Sequence, residues 1–254
     1  MHSKVLLIAA LLTAPAILAQ SSTGGDDEKP KAYVRRFSAG ATFTVLGLGL
    51  VPNHTTTSST TSPAVAGTYY TTGASQRIGY GITATGAITG HFALNASLLY
   101  RRIGYLMTSD VYLGTLDPNA TTDTRTRITN DEDTRAHLFD LPVVVRWYNL
   151  DRHTRGTRWF AEGGGVLRRV SNIRTSIDQS VDSGTTTCCT TTPAAPAHRT
   201  TRGFVAGLGF QAIDPFGIRV VPEVRYTRWL NQTFSSYSTG MQRNQLEINL
   251  SVTF

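Results

Sequence analysis

The last ten residues, Gln245 to Phe254, alternate polar and apolar without interruption. A period of two puts Leu246, Ile248, Leu250, Val252 and Phe254 on one face and Gln245, Glu247, Asn249, Ser251 and Thr253 on the other. Strand character also marks Phe37–Gly49, Ile78–Ile88, His91–Ile103, Arg135–Tyr148, Arg158–Val170, Arg202–Ile213 and Ile218–Trp229, and the final segment runs Arg243–Phe254. Phe92, Leu94, Ala96, Leu98 and Tyr100 share a face opposite Asn95, Ser97 and Arg101, and Phe139, Leu141, Val143, Val145 and Trp147 oppose Asp140, Pro142, Val144 and Arg146. Ile218, Val220, Pro222, Val224 and Tyr226 oppose Arg219, Glu223, Arg225 and Thr227. No segment has the period of a helix. A soluble sheet would turn the apolar face to a core. A membrane barrel turns it to lipid, and about 9–11 tilted strand residues suffice to cross.

The connections separate these readings. Long stretches at Leu50–Arg77, Gly104–Thr134 and Ser171–Thr201, and a moderate one at Leu230–Gln242, alternate with the short Thr89-Gly90, Asn149–Thr157 and Asp214-Pro215-Phe216-Gly217. Long loops on one side, short turns on the other and an even strand number predict an all-β fold. Specifically, they predict an eight-stranded antiparallel up-and-down transmembrane β-barrel with four long outer loops and short periplasmic turns. The long loops are rich in Thr, Ser, Ala and Pro, notably His54–Pro63 and Thr185–Pro196, which predicts disorder or high mobility there. Tyr33, Phe37, Trp147, Tyr148, Trp159, Phe216 and Phe254 fall near the short-turn ends, and Tyr100, Tyr105, Tyr226 and Trp229 near the long-loop ends, as two interfacial girdles would. Pro142 and Pro222 lie within strands, so each predicts a bulge or a locally open seam.

The amino-terminus reads as a secretory signal peptide over residues 1–19: His2 and Lys4 open it, Val5 to Leu18 form the apolar run, and cleavage falls at Ala19-Gln20. Residues 20–36, with Asp26-Asp27-Glu28-Lys29, read as a periplasmic lead-in, and 37–254 as the barrel. The net charge of +7 includes Lys4, so the mature chain carries +6. That excess is dispersed, with no basic stripe interleaved with aromatics, and nucleic acid is not expected as a partner. Cys188-Cys189 stand adjacent in a threonine run, without the further ligands a metal site needs, and no metal or cofactor is expected. A vicinal disulfide or an intermolecular bridge fits an oxidising compartment; a loop feature without chemistry is favoured.

Assigning the apolar face to lipid collects Arg101, Asp140, Arg146, Glu162, Arg219, Glu223, Arg225 and Glu247 in the lumen, four acids against four bases. An eight-stranded interior is just wide enough for side chains to fill, so a lumen plugged by ion pairs is expected over a proton or ion path. Four functions compete: a non-enzymatic barrel giving envelope integrity or surface interaction through its outer loops, a narrow porin for small solutes, a lipid-modifying enzyme, and a soluble secreted β-barrel binding a small ligand. An enzyme needs a nucleophile, a base and an orienting group in reach. His137 is the best-placed histidine, with Ser109 or Ser171 as its partner, but a lone histidine at a strand end is more simply an interfacial polar residue.

From Ala136 onward the chain resembles the small outer-membrane β-barrels that include PorT-like and OmpA-like eight-stranded proteins. The resemblance runs through Leu138-Phe139-Asp140-Leu141-Pro142-Val143-Val144-Val145-Arg146-Trp147-Tyr148, Trp159-Phe160-Ala161-Glu162-Gly163-Gly164-Gly165 and Gly203-Phe204-Val205-Ala206-Gly207-Leu208-Gly209-Phe210. Val221-Pro222-Glu223-Val224-Arg225-Tyr226-Thr227 and the terminal strand complete it. It implies an integral barrel of the outer membrane, in contact with its lipid, and carries no catalytic residues. Leu250, Val252 and Phe254 resemble the carboxyl-terminal signal read by the barrel-assembly machinery, and the long loops are where a surface ligand would bind.

Overall fold

The computed structural model describes residues 35–254, apart from 62, 63, 74–76, 155, 183–185, 191–195, 215 and 236–238. The expected signal peptide and the lead-in as far as residue 34, Tyr33 included, lie outside the described residues, as do the side chains of Cys188 and Cys189. The strands are β1 (Phe37–Leu46), β2 (His54–Thr61), β3 (Ala64–Gly73), β4 (Ile78–Ala87), β5 (Phe92–Leu113) and β6 (Thr126–Tyr148). They continue with β7 (Arg158–Val181), β8 (Thr186–Thr190), β9 (Thr200–Ile213), β10 (Arg219–Trp229) and β11 (Asn244–Thr253). All pair antiparallel in one sheet, ten of them along the order β2-β3-β5-β4-β1-β11-β10-β9-β7-β6, with β8 joined to β7.

A further pairing, β5 with β6, closes eight of these strands into a hydrogen-bonded ring. The first and last ring strands meet in register from Gly40↔Thr253 to Leu46↔Glu247. Phe254 locks this junction, donating its N–H to Ala39 and accepting one from it at 3.1 and 3.2 Å. A closed ring leaves no exposed edge along its circumference.

The side-chain alternation is inside out. Along β11, Gln245, Glu247, Asn249, Ser251 and Thr253 are buried, while Leu246, Ile248, Val252 and Phe254 are exposed. The same holds on β6, where Asp140, Val144 and Arg146 are buried and Phe139, Leu141, Val143, Val145 and Trp147 exposed.

Among the described residues, much of the long stretches expected to be disordered is strand. β5, β6 and β7 run 22, 23 and 24 residues, about twice the ten of β1, β4 or β11. β4 pairs with the first half of β5, to Arg101, and β3 takes over the same edge from Tyr105 to Leu113. The stretch 54–73 is thus a hairpin with Thr-rich strands, and Thr, being β-branched, suits a pleated surface despite the low complexity. Cys188 and Cys189 lie within β8, at the register shift between Ile177↔Thr190 and Gln179↔Thr187.

Both strand prolines make a seam rather than a bulge. The β5–β6 ladder breaks between Ala96↔Val143 and Leu99↔Asp140, at Pro142, and the β9–β10 ladder breaks between Val220↔Ala212 and Glu223↔Gly209, at Pro222. The register is unchanged across each gap, because only the missing N–H is lost. The bulge in this region lies elsewhere, between Arg135 and His137 opposite Asn172, whose φ is 48°.

Candidate functional site

Neighbouring strands position the interior charges in two tiers. In the lower tier, nearer the short turns, Arg146 on β6 stands directly opposite Glu162 on β7. Arg146 Nε donates to Glu162 Oε2 at 2.8 Å and Nη2 to Glu223 Oε2 at 2.5 Å. Arg225 Nε donates to Glu162 Oε1 at 3.0 Å and Nη2 to Glu223 Oε1 at 2.6 Å. The four side chains thus close a neutral square, with Asn249 Nδ2 donating to Glu223 at 3.0 Å and the Arg146 guanidinium over the Phe160 ring. All four are almost fully shielded from solvent.

In the upper tier, Arg168 grips Asp140 with two hydrogen bonds, of 2.6 and 2.8 Å, stacks on Trp229 at 4.0 Å and donates to Gln245 at 3.1 Å. Trp229 Nε1 donates to the same Gln245 oxygen at 2.7 Å. Arg101 Nη2 pairs with Glu247 at 2.8 Å and donates to Thr44 at 3.2 Å. This tier is neutral as well. Paired, hydrogen-bonded charges are the form in which buried charge is tolerated.

Two glycines permit these reaches. Gly207 on β9 lies between Glu162 and Arg225 in register, and a Cβ there would sit 2.9 Å from Glu162 Oε1 and 3.0 Å from the Val224 carbonyl. Gly79 on β4 lies between Arg101 and Thr44, and its Cβ would meet both side chains at 2.7 Å. Any side chain at either position would stand in the path of the ion pair passing over it.

Side chains fold across the interior toward both rims. Toward the long strands, Phe234 and Met241 from the β10–β11 connection fold in and pack with Leu46, Leu50, Ile103 and Leu138. Hydrogen bonds hold the tuck: Met241 N–H to the Phe234 carbonyl at 3.0 Å and Gln242 N–H to the Leu50 carbonyl at 2.8 Å. Below the lower tier, beside Arg146, Tyr148 and Gln211, a cavity of about 10 Å³ remains, room for roughly one water. Near the short turns, Arg158 stacks on Tyr148 and donates to Gln211, and Arg219 donates to the Arg35 carbonyl at 2.8 Å.

All eight charged residues expected in the interior are buried there, but Arg219 joins neither tier. Arg168 and Arg158 belong to the interior too and went unread, although both lie an even number of residues from Glu162 and so share its face. The aromatic expectation needs correction: Tyr148, Tyr105 and Trp229 point inward and are buried, whereas Phe37, Trp147, Trp159, Phe216, Tyr226 and Phe254 are exposed. Parity, not distance from the strand end, decides the face. Leu250 is half-buried, and Val252 and Phe254 are exposed.

His137 stands across from Ser171 on β7 and edge-on to Tyr100. Ser109 is seven positions further along β5 than Arg102, His137's partner there, about 23 Å away. Among the described residues no hydrogen bond links His137 to either serine, and no three metal-binding side chains gather. Further out, Thr129 and Arg127 hold the Asp110 carboxyl below its usual range by hydrogen bonding. Arg125 holds Asp123 down to about 2, through its guanidinium and its backbone N–H.

No family model matches this chain, and no curated protein matches it either. What stands from the resemblance is the all-antiparallel sheet with its closed ring of eight strands.

Proposed function

We propose that the chain is a non-enzymatic integral β-barrel of the outer membrane with a plugged, charge-filled lumen. Its role is envelope integrity or surface interaction through the strands that continue beyond the ring. The observation that carries this reading is the inversion of the sheet, with ion pairs inside a closed ring and an uninterrupted apolar exterior. On β6 the exposed apolar run from Phe139 to Trp147 spans eight steps, about 26 Å along the strand and about 20 Å along the membrane normal at a tilt near 40°. That is close to the band of about 25 Å that such barrels present to lipid. A large exposed apolar surface in water would be an aggregation liability.

On this reading the chain is exported, lipid is its main solvent, and the barrel-assembly machinery engages β11 through Leu250, Val252 and Phe254. The likeness to PorT-like and OmpA-like barrels accords with it. The β2–β3 hairpin and the distal halves of β5, β6 and β7 are the surface offered to a ligand. The narrow-porin alternative is disfavoured by the two neutral tiers and by the Phe234–Met241 closure. Folding the mature chain into liposomes and recording single-channel currents tests the choice. Inserted protein without conductance supports a plugged barrel, and stable conductance would move the porin reading ahead.

A further inference from the structure

The outward faces of the ring end differently at its two rims. On β5, approaching the long-strand rim, the outward positions read Leu98, Tyr100, Arg102; on β6 they read Phe139, His137, Arg135. On β7, β9 and β10 the same step runs from Leu167 to Arg169, from Phe204 to Arg202 and from Tyr226 to Arg228. These five strands are consecutive neighbours in the ring, and each of the five arginines is exposed. Among the described residues, Asp133 is the one carboxylate paired with any of them, 2.6 Å from Arg135. At the short-turn rim the corresponding outward positions are Trp147, Trp159, Phe210 and Ile218.

The collar is concave beside the β6–β7 bulge. The bulge between Arg135 and His137, with Asn172 in the left-handed region opposite, opens a groove of about 800 Å³. Arg102, Arg135, Arg174 and His137 line it, with Leu106. Directly toward the apolar belt lies an aromatic cluster in which Tyr100 contacts Tyr80, Phe139 and His137, each with ring centroids 5.4 Å apart. Arg102 Nε donates to the Tyr100 hydroxyl at 3.2 Å.

We infer that this groove binds the phosphate of an anionic lipid headgroup in the leaflet at the long-strand rim, with the lipid's chains lying along the aromatic and aliphatic belt beneath. Guanidinium forks match phosphate oxygens geometrically and stay charged at any working pH. Three arginines against one carboxylate leave the groove cationic, and its continuity with the belt selects a lipid over a free anion. The rest of the collar faces neighbouring headgroups of the same sign. This inference rests on the membrane reading above.

The test is native mass spectrometry of the full mature chain, refolded in detergent, against bis-phosphorylated lipid A, its dephosphorylated form and inorganic phosphate. Retention of the phosphorylated lipid should exceed that of the dephosphorylated one by about tenfold or more, with inorganic phosphate competing poorly. R102Q/R135Q/R174Q should abolish the preference, R102K/R135K/R174K should keep part of it, and R36Q/R152Q at the other rim should leave it intact. Should the glutamine variant fail to fold, the phosphorylated and dephosphorylated probes on the unaltered chain decide alone. Protein that inserts into liposomes yet binds both lipids equally overturns the inference and leaves the membrane reading standing. Protein that does not insert overturns both.

Discussion

Replacing Glu223 by Ala removes one corner of the lower square. Arg146 and Arg225 each lose a carboxylate partner, at 2.5 and 2.6 Å, and Asn249 loses its acceptor at 3.0 Å. Two guanidinium groups then share Glu162 alone, and the lower square carries one uncompensated positive charge. At charge-centre separations near 4 Å each lost attraction is worth about 4 kcal/mol at an effective dielectric of about 20. Part of that is offset, because the Glu223 carboxylate no longer has to be stripped of water, a cost of several kcal/mol. The net loss falls at about 3–5 kcal/mol, the range for breaking a buried pair from one side. With a urea slope of about 2 kcal/mol per M, the unfolding midpoint in detergent micelles should fall by about 1.5–2.5 M. E223Q, which keeps the shape and one acceptor oxygen, should lose less. E223A/R225A restores neutrality and should be more stable than the sum of its single variants, by up to about 3 kcal/mol. An unchanged midpoint for E223A, or strict additivity in the double variant, would mean that water reaches the square and the interior is not dry.

Deleting Phe254 removes both hydrogen bonds that tie the chain end to Ala39; assembly into the membrane, followed by fractionation, should drop more than on deletion of the β5–β6 tip, 115–124. Gly207→Ala forces a Cβ against Glu162 and the Val224 carbonyl and should cost about 1–3 kcal/mol in the same urea assay, whereas Gly86→Ala, which meets nothing within 4 Å, should be neutral. Asp123 should titrate by NMR near 2 rather than at its ordinary 3.8, its contact with Arg125 contributing above 3.8 and vanishing as pH falls through about 2. R125A should return the midpoint toward 3.8, and an unchanged midpoint in that variant would remove Arg125 as the cause.

The alternation of residues along Phe139–Trp147, Ile218–Thr227 and Gln245–Phe254 was legible because a period of two carries over directly to the two faces of a strand. It reaches as far as Arg146, Glu162 and Glu223 being buried, since strand parity needs no knowledge of the partner strand. The extent of β6 and β7 was hidden because their distal halves are polar on both faces, Asn130, Asp131, Glu132 and Asp133 among them, and that of β5 because Leu106 and Met107, then Thr108, Ser109 and Asp110, then Val111 and Tyr112 come in blocks that do not alternate. Trp229 and Tyr105 were misplaced because nearness to a strand end was weighed above parity. The partners of each charge could not be read: Arg225 reaches Glu162 over Gly207 only because β9 lies between β7 and β10, which is a fact of ring order. The arginine collar was invisible for the same reason, since Arg102, Arg135, Arg169, Arg202 and Arg228 are far apart along the chain and neighbours only around the ring.

The chain's three tryptophans report on which solvent meets the apolar face, because Trp147 and Trp159 face outward, edge to face at 5.3 Å, and Trp229 faces the interior. Single-tryptophan variants refolded into vesicles containing brominated phospholipids make the measurement. Strong bromine quenching of Trp147 and Trp159 is expected, with Trp229 protected from both bromine and aqueous acrylamide. Quenching of Trp147 and Trp159 by acrylamide but not by bromine would place the apolar face in water and contradict the membrane reading.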